Sequence, residues 1–315
     1  MYILNKNPID FTARFSTSRT DVIKTGSGRY EYMSDIVQQK FHWARVPKEW
    51  METMNRRRQM LFQMCQNQNE TIMLGTPIKV SKHEIPDRNY VDDISRIILC
   101  PISKSGSRTW LKIYFKLNGQ MNTSVEYNQM PLPYFEPYVR KLKTYTDFGI
   151  HGRVNSYLKI MTVRHPLVRL VSAYKEQVAP TRGLFRKLLE DFLIKRKGMA
   201  DVNKTRTVTF VDFLQFTLEY PNIHWDTFNT FCAPCKMQYD LVVYFETLAD
   251  DAKNVLSLLG ADDKIKLPPS HRADQMSSDD EARQYYQGVD RDLLKQVIAK
   301  YWAEEKYFGY NMNKF

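Results

Sequence analysis

The chain has 315 residues, of which 43% are hydrophobic, so it can bury a substantial core in one large domain. Its 46 Lys and Arg against 35 Asp and Glu leave a formal charge of +11, which favours anionic partners such as nucleotides, nucleic acids, acidic glycans or anionic lipid. No stretch approaches the roughly 20 apolar residues that cross a bilayer, and four cysteines are too few for a disulfide scaffold.

Residues 1–40 show no clear hydrophobic periodicity and are rich in Ser, Thr, Gly and charge. We interpret them as a loosely ordered N-terminal arm. Apolar side chains then recur at helical spacing from Val46 to Cys65, and Pro47 suits a first helical turn. This pattern predicts an amphipathic helix near the start of a single domain over residues 41–315.

Strand patterns alternate with helical patterns through the rest of the chain. The β-rich runs are residues 94–100 (ISRIILC), 157–163 (YLKIMTV) and 239–245 (YDLVVYF). The helical patterns are residues 109–117, 167–178, 209–220 with Thr209 and Asp212 as a capping pair, 247–260 with Thr247 and Asp250 as another, and 293–301. This alternation predicts an α/β fold, a three-layer sandwich with a central parallel sheet.

A basic segment over residues 182–206 interrupts the alternation. It carries Arg182, Arg186, Lys187, Lys195, Arg196, Lys197, Lys204 and Arg206. Such a charge run is typical of a solvated face, and a binding rim is the alternative.

The loop after the first predicted strand has the composition of an anion site. Small residues Ser105, Gly106 and Ser107 let backbone N–H groups approach a phosphate, and Lys104 and Arg108 supply charge. Parallel strands deliver such loops to ligands at their carboxyl ends. The loop departs from the nucleotide-triphosphatase pattern GxxxxGK[ST], because its lysine precedes the glycine. Taken alone, it could equally be a surface turn.

A second candidate anion site follows the second predicted strand. Arg164 would project from the carboxyl end of that strand, and Ser172 could offer a hydroxyl from the next helix to the same anion. Two anion-binding positions would then flank one edge of the sheet.

Together the two segments resemble the 5′-phosphosulfate and 3′-phosphate motifs of sulfotransferases, specifically the Golgi carbohydrate sulfotransferases of chondroitin, dermatan and the neural glucuronyl epitope. The first motif, approximately Pro-Lys-x-x-x-Thr-Asn-Trp, is matched by Lys104 and Trp110, with Ser103, Ser107, Arg108 and Thr109 as departures. The second, Arg-x-Pro-x-x-Arg-Leu-x-Ser-Ala-Tyr, is matched by Arg164, Pro166, Arg169, Leu170, Ser172, Ala173 and Tyr174. A third family block resembles the segment from His224-Trp225 to Cys232-Ala233-Pro234-Cys235.

The resemblance implies the P-loop-NTPase-like sulfotransferase fold and 3′-phosphoadenylyl sulfate as donor, with no metal. It implies an acidic glycosaminoglycan acceptor, taken here as O4 of N-acetylgalactosamine in chondroitin or dermatan. The residues expected to bind the donor are Lys104, Ser105, Gly106, Ser107, Arg108, Thr109, Trp110, Arg164, Arg169 and Ser172.

Sulfuryl transfer needs a cation for the departing phosphate and a base for the acceptor proton. Lys104 is the candidate cation. His224 is the first candidate base, His151 the second, and His165 also lies within a motif. The pair Cys232 and Cys235 lacks the second pair that zinc would require, so bridges or free thiols are expected, with all three pairings of the four cysteines open.

Two other functions remain open from the residues. A basic protein could bind glycan or nucleic acid without catalysis, although no nucleic acid is expected, and a P-loop-type kinase is the enzymatic alternative. The resemblance implies the Golgi lumen or membrane. We expect membrane contact only through an anchor that this chain does not show.

Overall fold

The computed structural model describes Val37 and residues 40–67, 77–119, 138–180, 183, 185–197, 208–266 and 277–315. The predicted arm therefore lies outside the described residues apart from Val37 and Lys40, as do Arg182, Lys204 and Arg206 of the basic segment. The described residues all fall in one contact unit, Tyr32–Phe315. A domain boundary at residue 41 stays a prediction.

Four strands form one sheet in the described part of the chain, in the order β1, β2, β3, β4. They are β1 (Tyr90–Asp92), β2 (Ile97–Cys100), β3 (Leu158–Val163) and β4 (Leu241–Tyr244). β2, β3 and β4 are parallel and almost wholly buried, as expected for strands covered on both faces. The α/β fold class is confirmed, but the sheet is mixed, because β1 pairs with β2 in antiparallel orientation.

Helices surround this sheet. In the described residues they are α1 (Lys48–Asn67), α2 (Ser107–Leu117), α3 (Asp147–Ser156), α4 (Pro166–Gln177), α5 (Arg186–Lys197), α6 (Phe210–Glu219), α7 (Phe228–Cys232), α8 (Pro234–Met237), α9 (Leu248–Leu258), α10 (Ser278–Tyr286), α11 (Arg291–Lys300) and α12 (Trp302–Phe308). Each predicted helix is present, with ends that differ from the prediction by a few residues.

The first predicted strand begins three residues later than its sequence pattern, because residues 93–96 form the turn between β1 and β2. The Asp92 carboxylate accepts hydrogen bonds from the Ile94 and Ser95 N–H groups, at 3.1 and 3.2 Å. Arg96 adopts a left-handed backbone conformation with φ of 55°. These turn contacts explain why Ile94 lies outside β2, although the sequence pattern extended the strand to it.

Of the two predicted capping pairs, one is confirmed and one is wrong. Thr209 and Asp212 form a reciprocal capping box at the start of α6. Thr247 makes no cap at the start of α9, because its hydroxyl donates instead to Asp251 Oδ2 at 2.6 Å. Asp251 Oδ2 also accepts a hydrogen bond from Arg57 Nη1 at 2.8 Å, so a tertiary ion pair takes the place of the local cap.

Two clusters of buried side chains hold the fold together. The first joins one face of the sheet to α1, α3, α7, α8 and α12 through residues such as Leu61, Ile98, Val154, Val242 and Tyr307. The second joins α4 to α5, α6, α10 and α11. Because helices pack around the sheet, ligand access is left at the loops that follow the strands.

Both candidate disulfides form in this interior. Cys100 at the end of β2 pairs with Cys232 at the end of α7, and Cys65 of α1 pairs with Cys235 of α8. The Cα–Cα distances of 5.9 and 5.5 Å are ordinary for disulfides. Cys232 and Cys235 therefore clip one short segment to two distant parts of the chain.

Candidate active site

The loop of residues 101–106 connects the carboxyl end of β2 to the start of α2. Two of its residues, Lys104 and Gly106, have left-handed backbones with φ of 68° and 84°. Gly106 precedes the first turn of α2, and no side chain caps that end of the helix. A Cβ at residue 106 would lie 2.6 Å from Leu248 Cδ2, so both the left-handed backbone and this close approach favour glycine here. The loop thus presents uncapped N–H groups at a helix start, which suits an anion.

Buried hydroxyl groups lie along the same loop. Ser103 and Ser105 are 3% and 0% exposed, and their hydroxyls have no hydrogen-bond partner among the described residues. Thr162, near the end of the adjacent strand β3, also has a buried hydroxyl without a hydrogen-bond partner among the described residues. Buried polar groups are normally paired, so a bound ligand with acceptor oxygens would supply what these groups lack. The residues present therefore fit an anionic donor.

The Lys104 ammonium group is buried and paired with a carboxylate. Its Nζ lies 2.5 Å from Glu176 Oε2, and the two side chains are 6% and 50% exposed. Burial lowers the pKa of Lys104, and Arg108 and Arg164 lower it further, whereas Glu176 acts in the opposite direction. Burial alone would raise the pKa of Glu176, but its hydrogen bond with Lys104 leaves that pKa below the ordinary value. The two groups lie within hydrogen-bonding distance, and each favours the charged form of the other.

Glu176 was not predicted from the sequence. It lies on α4 one turn after Ser172, so the two residues share a face of the helix, and Ser172 is half-buried there. The spacing of four residues from a motif serine was a usable signal, but only the contact with Lys104 shows that this face meets the first loop.

Arg164 connects the two predicted anion sites directly. It follows the end of β3, and its Nη1 donates to the Lys104 carbonyl oxygen at 3.0 Å. Its guanidinium carbon also lies 4.1 Å from the centroid of the Phe245 ring, after β4. The loops after two neighbouring parallel strands therefore meet, with Lys104 and Arg164 side by side.

The His224 ring is buried near the same charges. Burial lowers the pKa of His224 to about 4, and the charges of Lys104, Arg88 and Arg169 add to this effect. Its Nδ1 has no hydrogen-bond partner among the described residues, and the ring packs edge-on against Phe185 at 5.5 Å between centroids. The imidazole is neutral at physiological pH and so can accept a proton.

A buried ion pair holds the backbone beside His224. Arg169 is 0% exposed; its Nη2 donates to the Asp226 carbonyl oxygen at 2.7 Å and lies 3.6 Å from Glu304 Oε2. The other Glu304 oxygen accepts the Phe228 N–H at 2.7 Å. Arg169, predicted to bind the donor, is placed here inside the protein, where it supports residues 226–228.

The structure places the other predicted residues in three kinds of surroundings. Trp110 is fully buried in α2, Thr109 is half-buried, and Arg108 is exposed on the first turn of that helix. His165 is buried, with Nε2 3.0 Å from the Asn311 carbonyl oxygen. His151 is exposed on α3, which leads into the amino end of β3, whereas Lys104 follows the carboxyl end of β2.

A model of the sulfotransferase family matches residues 87–311. The chain belongs to this family. The matched range begins just before β1 and contains Lys104, Glu176, Arg164 and His224.

Curated relatives of this sulfotransferase are similar over most of its length. It is 27% identical to carbohydrate sulfotransferase 9 of Homo sapiens over 84% of this chain and 61% of that protein. It is 29% identical to carbohydrate sulfotransferase 10 of Mus musculus over 75% of this chain and 70% of that protein. The chain thus spans less than two thirds of the length of the first relative. No solved structure matches it.

Two further findings concern metal ions and membranes. Within the described ranges, no group of three or more His, Cys, Asp or Glu side chains is placed to hold a metal ion. No helix in the same ranges has the length and apolarity needed to cross a membrane.

Proposed function

We propose that this sulfotransferase moves a sulfuryl group from 3′-phosphoadenylyl sulfate to a carbohydrate hydroxyl. The observation that carries the proposal is the meeting of the two loops, in which Arg164 donates to the Lys104 carbonyl oxygen. A donor with a phosphosulfate at one end and a 3′-phosphate at the other needs two neighbouring cationic positions. The family match and the names of the curated relatives support the same reading.

The residues divide between the two ends of the donor. The Lys104 loop, with the N–H groups of α2 and the hydroxyls of Ser103 and Ser105, would hold the phosphosulfate. Arg164 and Ser172 would hold the 3′-phosphate. Arg169 is buried against Glu304, so its contribution would be to position the backbone near His224 rather than to touch the donor.

In the reaction, the bond between sulfur and the phosphate oxygen breaks as a bond from the acceptor oxygen to sulfur forms. Lys104 would stabilise the charge on the departing phosphate, an effect commonly worth about 3 kcal/mol. His224, neutral because of its lowered pKa, would take the acceptor proton. Glu176 would hold Lys104 in its charged form until the donor binds.

We further propose a glycosaminoglycan-type acceptor, with O4 of N-acetylgalactosamine in chondroitin or dermatan as the hydroxyl attacked. The net charge of +11 supports an acidic glycan, since opposite charge favours encounter. The two disulfides support an oxidising compartment and hence the Golgi lumen, because such bridges are rare in reducing compartments.

Calorimetric titration with adenosine 3′,5′-bisphosphate tests the donor site. We expect binding to the wild type and a loss of at least about tenfold in affinity for Arg164→Ala, since a charge-assisted pair contributes roughly 1.5–3 kcal/mol. Arg283→Ala, which removes an exposed arginine of α10, is the matched control and should bind like the wild type.

Incorporation of labelled sulfate into desulfated chondroitin, dermatan and heparan then tests the reaction. No binding of the bisphosphate, or binding that Arg164→Ala leaves unchanged, would exclude the proposed donor site. Bisphosphate binding without sulfate transfer to any glycan would favour a non-catalytic binding protein, and transfer of labelled phosphate from ATP would favour a kinase.

A further inference from the structure

Arg88 lies at the carboxyl end of β2 although it precedes another strand. β1 runs antiparallel to β2, with Tyr90 opposite Leu99, so the residues just before β1 lie beside the start of the Lys104 loop. The Arg88 side chain is buried, with the residue only 7% exposed. It was not singled out in the sequence, because β1 itself was not predicted.

No carboxylate among the described residues neutralises this guanidinium. Arg88 Nη1 donates a hydrogen bond to the Tyr90 hydroxyl at 3.2 Å. Three other arginines with little exposure each face an acid: Arg57 with Asp251 at 2.8 Å, Arg58 with Asp240 at 3.7 Å and Arg169 with Glu304 at 3.6 Å. Arg164, which is also buried, belongs to the proposed donor site. Buried charges are normally paired, so the surroundings of Arg88 favour an anion supplied from outside the chain.

Arg88 lies on the β1 side of the Lys104 loop, away from the proposed 3′-phosphate position at Arg164. The donor would lie over the ends of β2 and β3, whereas β1 lies on the other side of β2. Arg88 is also close enough to His224 for its charge to contribute, after burial and Lys104, to the lowered pKa of that ring. An anion bound by Arg88 would thus lie within electrostatic range of the proposed base.

The backbone that carries Arg88 is held rigidly against the same region. The neighbouring Asn89 side chain accepts a hydrogen bond from the Tyr239 hydroxyl at 2.5 Å, and that hydroxyl also contacts the Cys232 carbonyl oxygen at 2.9 Å. Cys232 is in turn bonded to Cys100, the residue before the Lys104 loop. The backbone at Arg88 is therefore held in place, which lowers the entropic cost of ordering it when a ligand binds.

We infer that Arg88 binds the carboxylate of a uronic acid in the acceptor and so selects acidic glycans over neutral ones. The inference rests on the proposed function and names the residue that reads the acceptor charge. A guanidinium suits this role because its fork of N–H donors matches the two oxygens of a carboxylate.

The test compares desulfated chondroitin with the same polymer after chemical reduction of its carboxyl groups. For the wild type, we expect kcat/KM to be about 10- to 100-fold higher with the carboxylate-bearing polymer, as one charged hydrogen-bonded pair would give. For Arg88→Gln, kcat/KM on the acidic acceptor should be lower by that factor. On the reduced acceptor its kcat/KM should match that of the wild type within about twofold. Arg88→Lys keeps the charge but not the fork of N–H donors. Its kcat/KM on the acidic acceptor should lie between the values of the wild type and Arg88→Gln.

Calorimetry with the bisphosphate is the folding control for the Arg88 variants. Their affinity should equal that of the wild type. Equal losses on both acceptors, no loss on either, or a wild type that does not prefer the carboxylate-bearing polymer would each overturn the inference. The wild-type comparison needs no variant, so a poorly folded Arg88→Gln leaves the inference testable. Absence of sulfate transfer by the wild type to every glycan would instead sink the proposed function.

Discussion

At the scale of single residues, Lys104 is subject to opposing influences. Burial and the nearby guanidinium groups lower its pKa, whereas Glu176 raises it through a hydrogen bond and its charge. The ammonium form is the one that can stabilise a departing phosphate. Activity should therefore fall as pH rises through the pKa of Lys104.

Glu176→Gln should move this alkaline loss of activity to lower pH. The substitution removes a group that raises the pKa of Lys104 and leaves the burial that lowers it. The profile of kcat/KM for the donor between about pH 7 and 10 reports the free enzyme and is the measurement to make.

Glu281→Gln is the matched control, because Glu281 pairs with Lys175, the residue next to Glu176 on α4. Its profile should coincide with that of the wild type. An unchanged profile for Glu176→Gln, or equal shifts in both variants, would contradict the role given to the ion pair.

His224→Asn should reduce kcat by about 100- to 10,000-fold, the usual contribution of a general base. Because the pKa of His224 is about 4, its protonation should limit activity only as pH falls toward that value. Bisphosphate affinity should stay within about twofold of the wild type, since the ring lies outside the proposed donor contacts. Sulfate incorporation and calorimetry give the two quantities.

His151→Asn provides the comparison for that experiment. His151 is exposed on α3, which leads into the amino end of β3, whereas Lys104 follows the carboxyl end of β2, so its replacement should leave kcat unchanged. A loss as large as that of His224→Asn would favour His151 as the base, and an active His224→Asn would remove His224 from the mechanism.

At the scale of elements, the start of α2 depends on a close approach at Gly106. Gly106→Ala should lower the free energy of unfolding, because alanine is unfavourable at φ of 84° and its Cβ would overlap Leu248. The left-handed conformation costs about 1 kcal/mol and overpacking adds roughly 1–3 kcal/mol. The variant should also bind the bisphosphate more weakly, as the N–H groups of α2 would shift.

Gly288→Ala separates the two contributions to that loss. Gly288 has nearly the same φ, 83°, but a Cβ there would meet nothing within 4 Å. Urea denaturation should show a smaller loss of stability than for Gly106→Ala, and calorimetry should show normal bisphosphate binding. Equal effects in both variants would mean that the contact with Leu248 is unimportant.

At the scale of the whole molecule, the disulfides join segments 132 and 170 residues apart. Reduction should lower the free energy of unfolding by about 2–4 kcal/mol for each bridge, because long loops regain entropy in the unfolded chain. Urea denaturation with and without a reducing agent measures this change.

The two bridges should differ in their effect on catalysis. Cys100–Cys232 ties the Lys104 loop to α7, whereas Cys65–Cys235 ties α1 to α8. The double variant Cys100→Ser, Cys232→Ser should therefore lose more kcat/KM than Cys65→Ser, Cys235→Ser. A peptide map that joins Cys232 to Cys235 would contradict the pairing.

What the sequence alone determined was local. Buried strands, amphipathic helices and the small residues around Gly106 follow from side-chain periodicity and backbone preference, which act over a few neighbouring positions. The same holds for the two loops that carry Lys104 and Arg164, since each motif is continuous in the chain.

Only the tertiary structure decided which distant residues meet. It paired the four cysteines, buried Arg169 against Glu304, placed Glu176 on Lys104 and brought the charge of Arg88 within electrostatic range of His224. It also placed His151 exposed on a helix that leads into the amino end of β3, although His151 precedes Arg164 closely in sequence. The physical reason is that burial and electrostatic pairing depend on distance in space, which sheet order and helix packing set.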